Sequence, residues 1–285
     1  MSHHTVDWID SRLTAEIAPS CTLWVVVGSE SALYTAVNGQ GEILATVHRD
    51  YLEVVDAPFW RIGPHAQRML ESSLVWHLPF GQRQGFLFHP NVTLVPRRLF
   101  RHGDLSGYFR LLLEPDNYIY TSEELPFWDA YLVAATDGAH ARFFQNLFPG
   151  ARIRHSAAAL LIGARTLATH QEHTLLANIR NRLVQIVVLE RDSPLFYNTF
   201  PFSNASDLLY YVLLAYHQFR LNPQEVTLWL SGSIMPGSEL HRKLYAYIRD
   251  IRFAEAKGPW RFPREAANTA LPAHCYFELM NLPTR

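Results

Sequence analysis

The chain has 285 residues, 48% of them hydrophobic, with a formal net charge of -1 and two cysteines. So many apolar side chains fill one large core or two ordinary ones, which excludes a disordered or fibrous chain. The near-zero charge gives no bulk field toward nucleic acid or anionic lipid, and Cys21 and Cys275 are too few for a disulfide framework or a thiolate metal cage.

The opening MSHHTVDWID lacks the basic and apolar regions of a secretory signal, so the expected location is the reducing cytoplasm. The most apolar windows, LWVVVG near Leu23 and LLYYVLLAY from Leu208, fall short of the roughly 18 residues that a membrane span needs, and no span is expected.

Three β-rich segments come first, Leu23 to Gly28, Ala32 to Val37 and Ile43 to His48, separated by the turn-forming GSES and NGQGE. They predict an antiparallel meander. In PHAQRMLESSLVWH, Met69, Leu70, Leu74 and Val75 recur at helical spacing, and GFLFHPNVTLVP then reads as strand. A helical stretch is expected near GDLSGYFRLLL. The following segment from Trp128 to His170 predicts strand, helix, strand and helix, an alternation that implies parallel strands. After His170 the pattern starts again: strands TLLANIR, LVQIVVLE and SPLFYNTF lead into a helix from about Asn204 to Leu221. That helix carries Leu209, Val212, Leu213, Tyr216 and Phe219 on one face and has Ser203 to Ser206 available as caps. Strand VTLWLSG, helix SELHRKLYAYIRD and strand IRFAEA complete the second half. Each half is therefore a meander followed by alternating strands and helices, an internal duplication of topology.

A duplicated arrangement of this kind resembles the actin-like ATPase superfamily, a ribonuclease H-like fold. Moreover, NVTLVPRRLF, ARIRHSAAALL, the stretch from Gln185 to Ile234, LYAYIRDIRF and LPAHCYFELMNL resemble an uncharacterised bacterial family, domain of unknown function 3822. The resemblance implies an α/β fold of mixed sheets in two lobes, residues 1–168 and 169–285 with its C-terminal tail, and a cleft between them. It implies no established activity.

Active members of the superfamily hold Mg-ATP with two Asp-x-Gly hairpin turns and a Gly-Gly adenosine turn. Glycines there admit phosphate oxygens close to backbone N–H groups, and the aspartates hold hydrated magnesium or activate water. By this resemblance, Val26 stands for the first aspartate, Gly28 for the first glycine, and Ser29 follows in the turn. Asn178 stands for the second aspartate and Arg180 for its glycine, with Asn181 next in the turn. Ser231 and Gly232 retain something of the adenosine loop. The nucleotide site reads as vestigial, with no catalytic residue, no metal and no cofactor. ATP and Mg remain the alternative if Arg180 and Arg182 grip phosphate through their guanidinium forks. Otherwise Arg180 is exposed or ion-paired at a structural turn. In that reading Leu183, Ile186, Val188 and Leu195 pack while Arg180 and Asn181 contribute nothing to stability.

Other constellations are weaker. His170 and His173 have a spacing suited to two imidazoles on one helical face but lack a third ligand. His140 and His155 read as surface or satisfied core histidines, and no serine sits in a G-x-S-x-G elbow. Arg97, Arg98, Arg101 and His102, with Phe100 and Tyr108 between and after them, form one basic cluster; His241, Arg242 and Lys243 form another. Neighbouring acids make a solvated face the expected reading over an RNA surface. Trp60, Trp128 and Trp260, at segment ends, are candidate interface aromatics. The reading that follows is a non-catalytic scaffold that binds another protein. An ATP-binding phosphoryl-transfer enzyme with an altered metal site and an RNA-associated accessory factor are the alternatives.

Overall fold

The computed structural model of the chain describes residues 6–50, 59–113, 117–125, 127–169, 171–255, 260–262 and 272–282. Its contacts group into two compact units. The first takes Met1–Leu125, Asp129–Ser156 and Gly258–Leu271; the second takes Pro126–Trp128, Ala157–Lys257 and Pro272–Arg285.

In the first unit a short strand β1 (Val6–Ile9) precedes β2 (Thr22–Gly28), β3 (Ser31–Val37) and β4 (Ile43–Asp50). Every residue of β3 and β4 is buried, polar ones such as Thr46, His48 and Arg49 included, so neither strand alternates between buried and exposed positions. The β3–β4 connection is fixed by Asn38, whose Oδ1 accepts from the N–H groups of Gln40 and Glu42, and by Gly41 at a φ of 77°. After α1 (Phe59–Glu71), β5 (Gln82–Phe88) joins β2 in parallel, with Phe86 opposite Val26 and Phe88 opposite Gly28. The sheet order is β1-β4-β3-β2-β5. A separate antiparallel sheet, β6-β8-β7, is built from β6 (Val92–Pro96), β7 (Tyr118–Leu125) and β8 (Ala130–Asp137). Asp137 then caps α2 (Gly138–Leu147), its carboxylate accepting from the N–H groups of Ala139 and His140.

The second unit begins with α3 (Ala157–Leu167). It continues through β9 (His173–Arg180), β10 (Leu183–Glu190), β11 (Ser193–Pro201), α4 (Ala205–Gln218), β12 (Leu228–Gly232), α5 (Glu239–Tyr245) and β13 (Ile251–Phe253). A 3-10 turn at Ala273–Tyr276 leads into α6 (Phe277–Met280). The sheet order is β11-β10-β9-β12-β13, with β12 parallel to both β9 and β13. One face packs against α4 and α5 through Ile179, Val184, Ile186, Leu208, Val212, Leu230 and Leu244. Successive strand residues point to opposite faces, and α3 and α6 lie against β9, β10 and β12 without joining that cluster, so they cover the other face.

The duplication is visible in strand order. β4-β3-β2-β5 and β11-β10-β9-β12 repeat the same antiparallel, antiparallel, parallel sequence of pairings. Even β13 has a counterpart: Leu87 of β5 forms an isolated parallel bridge to His155, with its N–H donated to the Arg154 carbonyl at 2.8 Å.

Several expectations are corrected. The strand expected before α3 is reduced to that single bridge, and β8 is antiparallel in a sheet of its own because it pairs with β6 and β7. β1 and β7 form where no strand is expected. The helical stretch near Tyr108 is one 3-10 turn, Ser106–Tyr108. Leu74 is 79% exposed, since the chain leaves α1 at Glu71 and re-enters as a 3-10 turn. Leu195, expected to pack, is 44% exposed on the edge strand β11. Trp260 is buried against Trp24, ring centroids 5.0 Å apart, so it is a core residue and no interface anchor. The side chain of Trp60 lies outside the described ones. Contacts group α3 with the second unit: Gly163 rests against Phe277 and Asn281, where a Cβ would come within 2.7 Å of both side chains.

Candidate functional site

The second hairpin is the better defined of the two. β9 and β10 pair from His173 and Glu190 up to Arg180 and Leu183, leaving Asn181 and Arg182 as a two-residue turn. The left-handed conformation falls on Asn181, at a φ of 49°, a residue type that tolerates it. Arg180 is thus the last strand residue. It needs no glycine conformation, and its side chain turns onto the sheet face covered by α3 and α6.

On that face a polar chain crosses four strands. Register places Ser231 beside Asn178, Asn178 opposite Gln185, and Gln185 opposite Thr199. The Ser231 hydroxyl donates to Asn178 Oδ1 at 2.8 Å, Asn178 Nδ2 donates to Gln185 Oε1 at 2.6 Å, and Gln185 Nε2 donates to the Tyr197 hydroxyl at 2.8 Å. All of these side chains are buried. Both ends of the Asn178 carboxamide are therefore committed within the sheet, and burial pushes the Tyr197 phenol well above its ordinary range. Next along β9, Arg180 meets Glu278 of α6, Nη1 to Oε2 2.8 Å, with side chains only 8% and 5% exposed. A carboxylate from 98 residues away thus sits on the guanidinium at the mouth of the turn. The expectation of a dispensable turn arginine is corrected: burial desolvates this charge, and only a partner of opposite sign makes that tolerable.

Gly232 closes the same end of the sheet. Its φ is 80°, and a Cβ there would stand 2.0 Å from the Ile179 carbonyl oxygen. The carbonyl instead accepts from the Ser233 N–H at 2.7 Å, and the Ile234 carbonyl meets His274 Nε2 at 2.7 Å. The turn after β12 is thereby pinned to β9 on one side and to the 3-10 turn before α6 on the other.

The first hairpin has different chemistry. Val26 is fully buried beside Trp24 and Phe86, whose rings stack with centroids 6.1 Å apart, so the position of a metal-holding carboxylate is apolar. Gly28 faces Phe88 and the Ser31 carbonyl at 3.1 and 3.2 Å from a would-be Cβ. Ser29 and Glu30 make the two-residue turn. Beside this hairpin lies a histidine cluster. His89, directly after β5, has its ring 4.5 Å from that of His155 and 6.1 Å from that of His140. His89 Nε2 meets the Thr136 hydroxyl at 2.9 Å, and His155 Nε2 meets the backbone of His89. Burial, then the neighbouring histidines, push His89 well below its ordinary pKa. Burial brings His140 down to about 3, against the opposing hydrogen bond to the Val27 backbone. Of the surface or satisfied-core positions expected for His140 and His155, both take buried ones, and their meeting with His89 has no local signal in the sequence.

The remaining candidates disperse. His170 lies outside the described residues. His173 opens β9 and faces Glu190 at 3.7 Å, so no helical His pair forms there, and among the described residues no group of three or more His, Cys, Asp or Glu is placed to hold a metal. Arg97 is exposed and ion-paired to Glu124 and Asp129. Trp128 gives its indole N–H to the Asp192 carbonyl. No described helix is long and apolar enough to cross a membrane.

The whole architecture has solved counterparts. A Bacteroides thetaiotaomicron protein with an actin-like ATPase fold and unknown function superposes with a TM-score of 0.71 at 15% identity, covering 85% of this chain and 94% of that one. The protein in a PilM-PilN type IV pilus biogenesis complex gives a TM-score of 0.59 at 13% identity, covering 92% and 97%. No curated protein matches. The fold is that of the actin-like ATPases. A family model described as "Protein of unknown function (DUF3822)" matches residues 10–251, and the chain belongs to that family.

Proposed function

We propose that this chain is a non-catalytic actin-like protein that binds another protein and does not turn over ATP. The observation that carries this reading is the buried Arg180–Glu278 pair. In an active relative the second hairpin offers backbone N–H groups to a phosphate; here a side-chain cation at that turn is already neutralised by the chain's own carboxylate. The supporting chemistry is consistent. Asn178 is an amide, which accepts no proton at neutral pH, and both its ends are engaged. Val26 supplies no oxygen for a hard cation. These side chains do not fit a magnesium-held triphosphate. The PilM-PilN complex lends support for a protein partner.

The test is a melt with and without millimolar Mg-ATP. A ligand at about a hundred times its dissociation constant adds roughly 2.7 kcal/mol, which shifts a melt by several degrees. No shift is expected. A clear shift would favour the phosphoryl-transfer reading, and affinity capture on the intact chain then identifies the partner in the absence of nucleotide.

A further inference from the structure

The segment between β6 and β7 carries chemistry that the hairpins do not use. Phe109 is buried with Val95, Val133 and Ala135, and Phe100, Leu105, Tyr108 and Tyr131 pack around them. Phe100 stacks on Tyr131 with centroids 3.7 Å apart and planes within 8°. The Tyr108 hydroxyl accepts the Arg101 N–H at 2.7 Å and donates to the Leu99 carbonyl at 2.8 Å, which ties residues 99–101 to the turn at 106–109. On this fixed platform stand Leu99 at 58%, Leu111 at 93% and Leu112 at 78% exposure, while the next residue, Leu113, packs inward. Arg98, Arg101 and Arg110 are exposed among them and have no ion pair among the described residues. Asp104 is the one acid in residues 97–113, and its carboxylate accepts from the Gly107 N–H; Glu114 and Asp116 follow outside the described residues.

We propose that this prong docks on an anionic lipid bilayer, with Leu111 and Leu112 inserting at the headgroup boundary and Arg98, Arg101 and Arg110 meeting lipid phosphates. Two observations choose the bilayer over other anionic partners. Bases stack on exposed aromatic rings, whereas Phe100, Tyr108 and Tyr131 of this platform pack on one another and its exposed large hydrophobic side chains are all leucines. A leucine exposed at 93% is a protrusion, not a groove, and a bilayer interface accepts an apolar protrusion without a matching cavity. Basic side chains then add attraction to anionic headgroups.

The experiment is flotation of the full chain with phosphatidylcholine vesicles, with and without about a third phosphatidylglycerol, in about 0.1 M salt. The expected result is binding to the anionic vesicles alone, weakened at least tenfold by Leu111→Ser with Leu112→Ser. Neutralising each arginine to serine should weaken it roughly fivefold and flatten its salt dependence. These side chains are exposed, so unchanged melts of the variants certify their folding. Failure to float, flotation that the variants leave unchanged, or binding to single-stranded RNA or an acidic polypeptide in place of vesicles would overturn the proposal. Failure of this docking leaves the reading of the hairpins untouched.

Discussion

Replacing Arg180 by alanine should destabilise the second unit severely. The guanidinium and the Glu278 carboxylate lie 2.8 Å apart with side chains at 8% and 5% exposure. Removing one partner leaves the other charge buried alone, and such losses run to about 3–5 kcal/mol. Glu278→Ala should cost a similar amount from the opposite side. The double change Arg180→Met with Glu278→Leu removes both charges while keeping most of the volume, and should recover most of the loss. Arg165→Ala gives the contrast: its pair with Asp192, at 3.3 Å with side chains 36% and 59% exposed, should contribute under about 1 kcal/mol. Calorimetry is the assay, because two compact units can unfold as separate transitions and the loss should fall on one of them. A cost below about 0.5 kcal/mol for Arg180→Ala would refute the reasoning and return Arg180 to the status of a solvated turn residue.

Other expectations follow from the same geometry. Gly232→Ala puts a Cβ 2.0 Å from the Ile179 carbonyl at a φ of 80°, so strain and clash together should exceed about 3 kcal/mol in urea unfolding. Ile186→Ala, at a fully buried position, should cost about 2–5 kcal/mol including its cavity, while Leu195→Ala on the exposed edge should cost under about 0.5 kcal/mol in the same assay. His89 and His140 are held neutral when folded and regain an ordinary pKa near 6.5 when unfolded. The unfolded chain therefore binds more protons below that pH. Stability is fully present above about pH 6.5; His140 lowers it by about 1.4 kcal/mol per pH unit toward pH 3, His89 acts in the same direction, and His140→Gln should flatten that slope in melts taken across the window.

The repeated meanders were legible because their signal is local. The largely apolar segments His173–Arg180 and Leu183–Glu190, separated by the two polar residues Asn181 and Arg182, specify a hairpin within twenty residues. β7 escaped because YIYTSEEL is half-exposed and shows no clean alternation, and β1 because four residues on a sheet edge carry too little pattern. Resemblance assigns residues to the nucleotide turns, but it says nothing of their environments. Arg180 looks like a turn residue until Glu278 arrives from 98 positions away. Likewise His89, His140 and His155 belong to three separate segments, and only the packing of β5, α2 and the bridge at His155 brings their rings together.

The late placement of the closing residues bears on how the chain is made. Synthesis runs from the N-terminus, so every strand of the three sheets is complete before Trp260 and Glu278 leave the ribosome. Until then Trp24 lacks the ring it packs against, and Arg180 is a cation on a sheet face that α6 has not yet covered. Each unit thus waits on a segment translated after residue 257, the first on Trp260 and Arg261 and the second on residues 272–282. Nascent chains should accordingly reach protease resistance in the first unit only after Trp260 has emerged, and in the second only after residues 272–282 have.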